Sequence, residues 1–262
     1  MQKSGQMDQT LQVKTSHRFP VVEVFGPTIQ GEGIDQGVPC YFVRFGGCDY
    51  KCDWCDSPHA VLPHLVRQSE RLDNSQIIEK IRALPQSARW VILSGGNPLL
   101  HELGPLIDSF HDCGYRVSVE TQGTRWKQWL LGANRVAVSP KPPSSGHTTD
   151  FEQLDHFMWK LNGCWNLAFL KVVVFDLPDF EYAKGIHKRY PEFPMFLSAG
   201  NDAGSTVGNP DRIDTRNNME VSRDLIFQGR WLANRTMIDP DLWDVRVQMQ
   251  QHVLYWANEK GR

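Results

Sequence analysis

Short apolar segments alternate with helical patterns along most of this 262-residue chain, and that alternation limits the possible folds more than any other feature. Residues 90–93, for example, are apolar throughout, which is typical of a strand buried on both faces. Helical patterns of roughly 10–15 residues separate such strands, as in βαβ units with a parallel sheet. About six units are too few for a closed eight-stranded barrel. The sequence therefore predicts an α/β fold, an incomplete (partial) (β/α) barrel with its active site at the C-terminal strand ends.

Apolar periodicity places the predicted elements along the chain. Strands are expected at residues 21–25, 40–45, 90–93, 116–120, 135–138, 168–175 and 195–197. Helices are expected after a Ser75 cap, over residues 99–110, 151–161 and 179–190, and from an Asp239 cap with Pro240 in the first turn. That last helix is predicted to carry an apolar face made of Leu242, Val245, Met249, Val253 and Trp256, and residues 203–218 are expected to form an exposed loop.

Composition and charge favour an ordinary globular protein. Hydrophobic residues make up 40% of the chain, charged residues 22%, and the net charge is −2, which indicates neither a nucleic-acid nor a membrane partner. Residues 1–18 are polar and predict a flexible N-terminal tail without a signal peptide, and residues 19–262 predict a single domain. The expected compartment is the cytoplasm, where thiols stay reduced. Cys40, Cys113 and Cys164 are then expected to be structural core residues.

Three cysteines lie within eight residues, directly after a predicted strand and two glycines. Thiolates from Cys48, Cys52 and Cys55 can hold one face of a metal centre and leave at least one position open. Two interpretations fit the spacing: a [4Fe–4S] cluster whose fourth iron binds a small molecule, or a closed structural zinc with His59 as the fourth ligand. Disulfides are disfavoured because nothing in the sequence indicates secretion.

Polar motifs follow several other predicted strands. Residues 94–98 offer glycines and free N–H donors at a helix start, although an ordinary turn has the same composition. Lys141 can bind a carboxylate as a point charge, or it can be a solvated lysine in a proline-rich turn. Gln122 can donate its amide to a ligand, or it can be the tip of a turn.

The loop of residues 26–33 is more specific. It flanks Glu32 with two glycines, so exposed backbone groups lie beside a carboxylate and the Gln30 amide; that suits a flat heterocycle, although a plain turn remains an alternative. Arg44 falls in a strand expected to be buried, where it needs an anion, either an internal carboxylate or a substrate carboxylate. The Ser57 hydroxyl can ligate Mg²⁺ or cap a helix.

Together these motifs resemble the 7-carboxy-7-deazaguanine synthase family within the radical S-adenosylmethionine superfamily. The superfamily feature is the Cys48-x3-Cys52-x2-Cys55 spacing. The family features occur in order at residues 23–33, 42–57, 94–98, 120–124, 139–145, 170–174 and 200–202. The resemblance implies that residues 19–262 are one radical S-adenosylmethionine core domain, and it favours the cluster over the zinc site.

The resemblance also implies a reaction, in queuosine or 7-deazapurine biosynthesis. A 5′-deoxyadenosyl radical abstracts hydrogen at C6 of 6-carboxy-5,6,7,8-tetrahydropterin, the ring contracts, and ammonia leaves as 7-carboxy-7-deazaguanine forms. The cofactors implied are a [4Fe–4S] cluster, S-adenosylmethionine and Mg²⁺, which carry the chemistry without a catalytic side chain. The partners implied are a flavodoxin- or ferredoxin-type electron donor and a second copy of the chain, with the apolar face of the last helix as the candidate dimer surface.

The resemblance assigns site residues by matched position. The cluster ligands implied are Cys48, Cys52 and Cys55, and the Mg²⁺ ligand implied is Ser57. The S-adenosylmethionine residues implied are Trp54, Gly96, Gln122, Ser139, Lys141 and Asn201. The substrate residues implied are Ile29, Gln30, Gly31, Glu32, Arg44 and Ser94.

One position departs from the superfamily pattern. Where Gly-Gly-Glu-Pro is usual and the glutamate pairs with the ammonium group of the cofactor, this chain has Asn97, which offers only a neutral acceptor. Two other functions stay open on the sequence alone. A different radical enzyme acting on a small carboxylated heterocycle would share the scaffold, and a non-enzymatic zinc-binding module would use His59 as a ligand.

Overall fold

The computed structural model describes residues 17–163 and 168–262. Its strands are β1 (Phe19–Ile29), β2 (Pro39–Phe45), β3 (Glu70–Leu72), β4 (Trp90–Gly95), β5 (Arg116–Thr121), β6 (Arg135–Val138), β7 (Ala168–Val174), β8 (Met195–Ala199) and β9 (Arg246–Gln248). They form one sheet in the order β3-β1-β2-β4-β5-β6-β7-β8-β9. From β2 to β9 each strand runs parallel to its neighbour, whereas β1 is antiparallel to β2 and β3. Within the described residues β3 and β9 do not pair, so the barrel is open, and the predicted fold class is confirmed.

The helices lie between these strands. They are α1 (Pro58–Val61), α2 (Pro63–Val66), α3 (Asn74–Ala83), α4 (Gly104–Asp112), α5 (Phe151–Leu161), α6 (Leu177–Arg189), α7 (Asn218–Met237) and α8 (Gln251–Trp256). The predicted Ser75 cap is wrong: the Asp73 carboxylate caps α3 by accepting from the Gln76 backbone N–H, and the Gln76 side chain accepts from the Asp73 N–H. Leu99 lies in a separate 3₁₀ turn, because Pro105 is tolerated only in the first turn of α4.

The predicted final helix is also wrong. The segment after Asp239 forms a 3₁₀ turn (Pro240–Leu242), then strand β9, then α8. Asp239 caps only that short turn, through the Asp241 N–H. A strand of three residues is too short to show a period of two, so the apolar spacing gave the appearance of a helix. The continuous helical face expected as a dimer surface is therefore not formed.

Helix α7 was not predicted, although its sequence carries helical signals. Its buried residues Val221, Leu225 and Leu232 lie on one face, and Asn217 and Glu220 form a capping box at its start. The helix packs beside β8 and β9 and covers the last part of the sheet.

The inner face of the barrel has two layers. The lower layer is apolar and contains Phe42, Ile92, Ala137, Phe169 and Phe196. The upper layer is polar and contains Arg44, Ser94, Glu120, Lys171 and Ser198. Residues two apart on a strand face the same side, so each polar residue on β2 and β7 lies one step above an aromatic ring. The polar layer opens at the carboxyl ends of the strands and rests on an apolar floor.

The predicted N-terminal tail and the three cysteines outside the loop are only partly covered by the described residues. Residues 1–16 of the predicted tail and Cys164 lie outside the described residues. Cys40 is fully buried, whereas Cys113 is only partly buried, with its sulfur 3.2 Å from the Arg82 guanidinium. Among the helices that the structure describes, none has both the length and the apolarity to cross a membrane.

Candidate functional site

One cleft, with a cavity volume of about 210 Å³, lies above the polar layer and gathers nearly all the residues that the sequence singled out. Of the assigned residues, those that line it are Ile29, Gln30, Glu32, Arg44, Cys48, Cys52, Trp54, Cys55, Ser57, Ser94, Gly96, Gln122, Ser139, Lys141 and Asn201. Gly31 does not line it. A Cβ at Gly31 would lie 1.9 Å from Nδ1 of His252, so this position must be glycine for that ring to pack against it.

The three cysteines of the loop after β2 face this cleft together. Burial raises the pKa of Cys48 to about 11 and that of Cys55 to about 12, so iron must displace the thiol protons when it binds. No three His, Cys, Asp or Glu side chains among the described residues converge where a single metal ion would sit. A four-iron cluster makes a different demand, because each of three cysteines binds its own iron atom. Three thiols beside an open cleft therefore fit a four-iron cluster that Cys48, Cys52 and Cys55 would hold.

His59, the proposed fourth zinc ligand, contacts a carboxylate instead. Its Nε2 lies 3.2 Å from Oε1 of Glu23, and His59 does not line the cleft. Burial by itself raises the pKa of Glu23, but the hydrogen bond with His59 and the charge of Arg44 outweigh it and hold that pKa below its usual range. The His59 ring therefore has a structural partner on β1.

Arg44 has the anion that its burial requires. Its Nε lies 2.8 Å from Oε1 of Glu23 as an ion pair, although the N–H is not aligned for a hydrogen bond. Its Nη1 donates to Oγ of Ser57 at 2.5 Å, and Ser57 donates to Asp56 at 3.1 Å. Ser57 precedes helix α1 but makes no capping hydrogen bond with its side chain. A guanidinium, a hydroxyl and a carboxylate therefore meet on one wall of the cleft.

The loop after β1 crosses the open side of the barrel and is held by the C-terminal segment. Gly33 N–H donates to Oε1 of Gln248 at 2.9 Å, and the Gln251 N–H donates to the Gly31 carbonyl at 3.0 Å. The Gln36 side chain donates to the Met249 carbonyl at 2.7 Å. These contacts join two segments more than two hundred residues apart and fix the loop at the cleft.

Glu32 is the most strongly held side chain in that loop. Its Oε2 lies 2.7 Å from Nζ of Lys171, its Oε1 accepts from the Ser198 hydroxyl, and both partners of the ion pair are only 12% exposed. Burial alone raises the pKa of Glu32, but Lys171 and Ser198 reverse the effect and lower it to about 2. The pKa of Lys171 is raised, because its attraction to Glu32 and Glu120 outweighs burial. Glu32 is therefore an anion throughout the physiological pH range.

Asn97 does not face the cleft. It is fully buried, its Oδ1 accepts from Leu99 N–H and the Thr121 hydroxyl, and its Nδ2 donates to Asp49 at 3.0 Å. Asp49 also accepts from the Gln122 side-chain amide. The Gln122 amide nitrogen is thus turned toward Asp49, so the side-chain oxygen is the group that Gln122 can offer to the cleft.

The opposite wall carries an aromatic ring and a cation. Lys141 Nζ lies 5.7 Å from the ring centroid of Trp54 and donates to Ser139 at 3.1 Å. The Trp54 indole N–H donates to Ser144 at 3.0 Å, which fixes the ring. Asn201 donates to Asn258 at 2.9 Å. This wall offers a flat stacking surface next to a positive charge.

Ser94 presents a buried hydroxyl to the cleft. That hydroxyl finds no hydrogen-bond partner within the described part of the protein. A buried hydroxyl without a partner is costly, so such a group is expected to bind a ligand.

Several polar residues that line the cleft were not assigned from the sequence, among them Glu120, Lys171, Gln250, His252 and Arg262. Lys171 interrupts an apolar strand just as Arg44 does, so the same argument from burial could have found it. Gln30 donates to Glu120 at 3.1 Å, a contact between residues 90 positions apart that no local pattern reveals. Gln250 and His252 fall in the segment predicted as a continuous helix, so their placement was hidden by that error.

Comparison with known proteins agrees with this geometry. The family model described as the radical SAM superfamily matches residues 42–140, which contain all three loop cysteines. The chain is 39% identical to 7-carboxy-7-deazaguanine synthase of Bacillus cereus, over 93% of this chain and 99% of the relative. It is 37% identical to the enzyme of the same name from Bacillus subtilis, over 93% and 98%. The crystal structure of QueE from Escherichia coli covers 90% of this chain and 95% of that one, with a TM-score of 0.58 and 23% identity, a likeness of fold.

Proposed function

Because the chain belongs to the 7-carboxy-7-deazaguanine synthase family of radical S-adenosylmethionine enzymes, we propose that it converts 6-carboxy-5,6,7,8-tetrahydropterin to 7-carboxy-7-deazaguanine with release of ammonia. The observation that carries the proposal is that the three thiols share one cleft with Arg44 and Glu32, a cation and an anion suited to a carboxylated heterocycle. When bound, the cluster and S-adenosylmethionine supply the 5′-deoxyadenosyl radical that abstracts hydrogen at C6.

The chain's own part is to bind and orient the substrate. Arg44 faces the cleft and is proposed to hold the substrate carboxylate by charge-assisted hydrogen bonds. Ser57, with Asp56 beside it, supplies hard oxygen atoms that would hold Mg²⁺, whose charge would favour binding of a carboxylated substrate. Ser94 would donate to the ring through its unpartnered hydroxyl. Ile29, Gln30, Gly31 and Glu32 form the proposed ring-binding loop.

S-adenosylmethionine is proposed to lie between the cysteine loop and the opposite wall. Trp54 would stack beside the adenine, and Lys141 with Ser139 would bind the carboxylate. Gly96 leaves room for close approach, and Gln122 presents its amide oxygen. Holding both molecules in one water-poor cleft brings the radical carbon and its target hydrogen together.

Domain organisation, oligomeric state and the electron donor are proposed as follows. Residues 19–262 are proposed to act as one radical S-adenosylmethionine domain, as a homodimer in the cytoplasm. The electron donor is proposed to be of the flavodoxin or ferredoxin type. Omitting a reduced donor should abolish turnover, and a mass measurement in solution tests the dimer.

Anaerobic turnover tests the reaction. The reconstituted protein is given dithionite, S-adenosylmethionine, Mg²⁺ and 6-carboxytetrahydropterin, and 7-carboxy-7-deazaguanine is measured by mass spectrometry. Product in excess of the S-adenosylmethionine consumed is expected, and Cys55→Ala should give none. Formation of 5′-deoxyadenosine without that product would favour the alternative, a radical enzyme for another small carboxylated heterocycle.

Asp49→Ala tests the proposed orientation of Gln122. The Gln122 and Asn97 amides both donate to Oδ1 of Asp49, and alanine removes that acceptor, so the Gln122 amide is no longer held in one orientation. The dissociation constant for S-adenosylmethionine is expected to rise about 10-fold, while iron content is unchanged. Calorimetric titration of the reconstituted protein measures this change. The control is Asp53→Ala, which removes an exposed carboxylate on the same loop; equal affinity in both variants would contradict the assignment.

A further inference from the structure

Three neighbouring parallel strands each direct one side chain at the same turn of the substrate loop. Lys171 on β7 and Ser198 on β8 contact the two oxygens of Glu32, and Gln248 on β9 accepts from the Gly33 N–H. Ser198 and Gln248 are register partners, and Ser198 also pairs with Val173, two residues beyond Lys171. All three therefore project from one face of the sheet toward residues 32 and 33.

These contacts use only part of the hydrogen-bonding capacity of Glu32. A carboxylate has about four lone-pair positions, and Lys171 and Ser198 occupy one on each oxygen. The remaining positions belong to a side chain that lines the cleft. Since the carboxylate is charged, it can only accept hydrogen bonds, and since Lys171 and Ser198 hold both oxygens, it cannot rotate away from this orientation.

We propose that Lys171, Ser198 and Gln248, here called the strand clamp, set the substrate specificity of the site by fixing Glu32 as a rigid acceptor for a ring edge with two adjacent N–H donors. This inference rests on the proposed function, because it assigns the 2-amino and N3–H edge of the pterin to Glu32. The clamp residues are positioning residues: they act on the ligand through Glu32 and Gly33.

The chemistry predicts which analogue the site rejects. A 2-amino-4-oxo ring offers an amino group and a ring N–H side by side, and both can donate to one carboxylate. A 2-oxo analogue puts a carbonyl oxygen in place of the amino group, so an acceptor faces an acceptor. A site built around a fixed hydrogen-bonding group discriminates strongly against a ligand that cannot satisfy it.

The test compares two stable ligands, 7-carboxy-7-deazaguanine and its 2-oxo analogue, by calorimetry on the reconstituted holoenzyme with S-adenosylmethionine bound. The unmodified protein should prefer the 2-amino ligand by at least about 100-fold. Ser198→Ala should reduce that preference about 10-fold, because one oxygen of Glu32 is then free to reorient. Affinity for S-adenosylmethionine should not change. Ser109→Ala, which removes a hydroxyl from helix α4, is the matched control and should leave the preference intact.

A second variant tests whether the change in preference comes from the strand clamp as a whole or only from the loss of the Ser198 hydroxyl. Gln248→Met keeps the size of the side chain but removes the acceptor for Gly33, so it too should reduce the preference. An unchanged preference in both variants, with tight binding of the 2-amino ligand retained, would overturn the strand clamp but leave the proposed function standing. Failure of the unmodified holoenzyme to bind the 2-amino ligand would overturn both.

Discussion

Replacing Lys171 by methionine is expected to lower the free energy of unfolding by about 3–5 kcal/mol, because it removes one partner of a buried ion pair. Methionine fills a similar volume, so the loss comes mainly from the carboxylate of Glu32, which keeps the Ser198 hydroxyl but no counter-charge. Urea unfolding followed by circular dichroism, on both proteins reconstituted in parallel, measures the difference.

The pH dependence gives this prediction a second test. The pKa of Glu32 is lowered from 4.5 to about 2 in the folded protein, so its contribution to stability is present above pH 4.5 and is lost as the pH falls toward 2. The stability difference between Lys171→Met and the unmodified protein should therefore narrow across that range. The control is the double variant Lys171→Met with Glu32→Gln, which removes both charges and should recover most of the lost stability. A double variant as unstable as the single one would contradict the ion-pair explanation.

Gly96→Ala is expected to cost about 3 kcal/mol of stability and to prevent normal cluster loading. A Cβ at this position would lie 2.0 Å from the carbonyl oxygen of Gly47, a backbone atom that cannot rotate away. The same oxygen accepts from the Asn97 N–H at 2.8 Å, and Gly47 directly precedes Cys48. Displacing Gly47 therefore moves the first thiol as well as the end of β4.

Thermal unfolding and iron content measure the two effects separately. The midpoint of Gly96→Ala should fall by roughly 6–12 °C, and iron per chain should drop below that of the unmodified protein. Gly185→Ala is the matched control: it lies in helix α6, where the added Cβ meets no described atom within 4 Å outside the helix's own backbone, and alanine favours helix there. A Gly96→Ala protein with full iron content would show that the cysteine loop does not depend on this close approach.

Much of the fold could be predicted from the sequence because the relevant forces are local. Each predicted strand, from residues 21–25 to residues 195–197, is present, since a buried strand needs an apolar run that is visible in the chain. The errors fall where local signals are short or ambiguous. Strand β9 has three residues and forms only by pairing with β8, so it carries no period of its own.

In the candidate site, too, the residue types follow from the sequence, whereas their partners follow from the tertiary structure. The sequence by itself determined which residue types stand at the strand ends: three thiols at fixed spacing, the Gly-flanked Glu32, and Arg44 within an apolar strand. Only the tertiary structure decided their partners. It set Glu32 against Lys171 and Ser198, turned Asn97 away from the cleft toward Asp49, and brought residues 248–252 to the substrate loop. A long apolar strand is specified by neighbouring residues, whereas an ion pair or a buried amide depends on which distant strands lie side by side, and that is fixed only when the whole sheet has assembled.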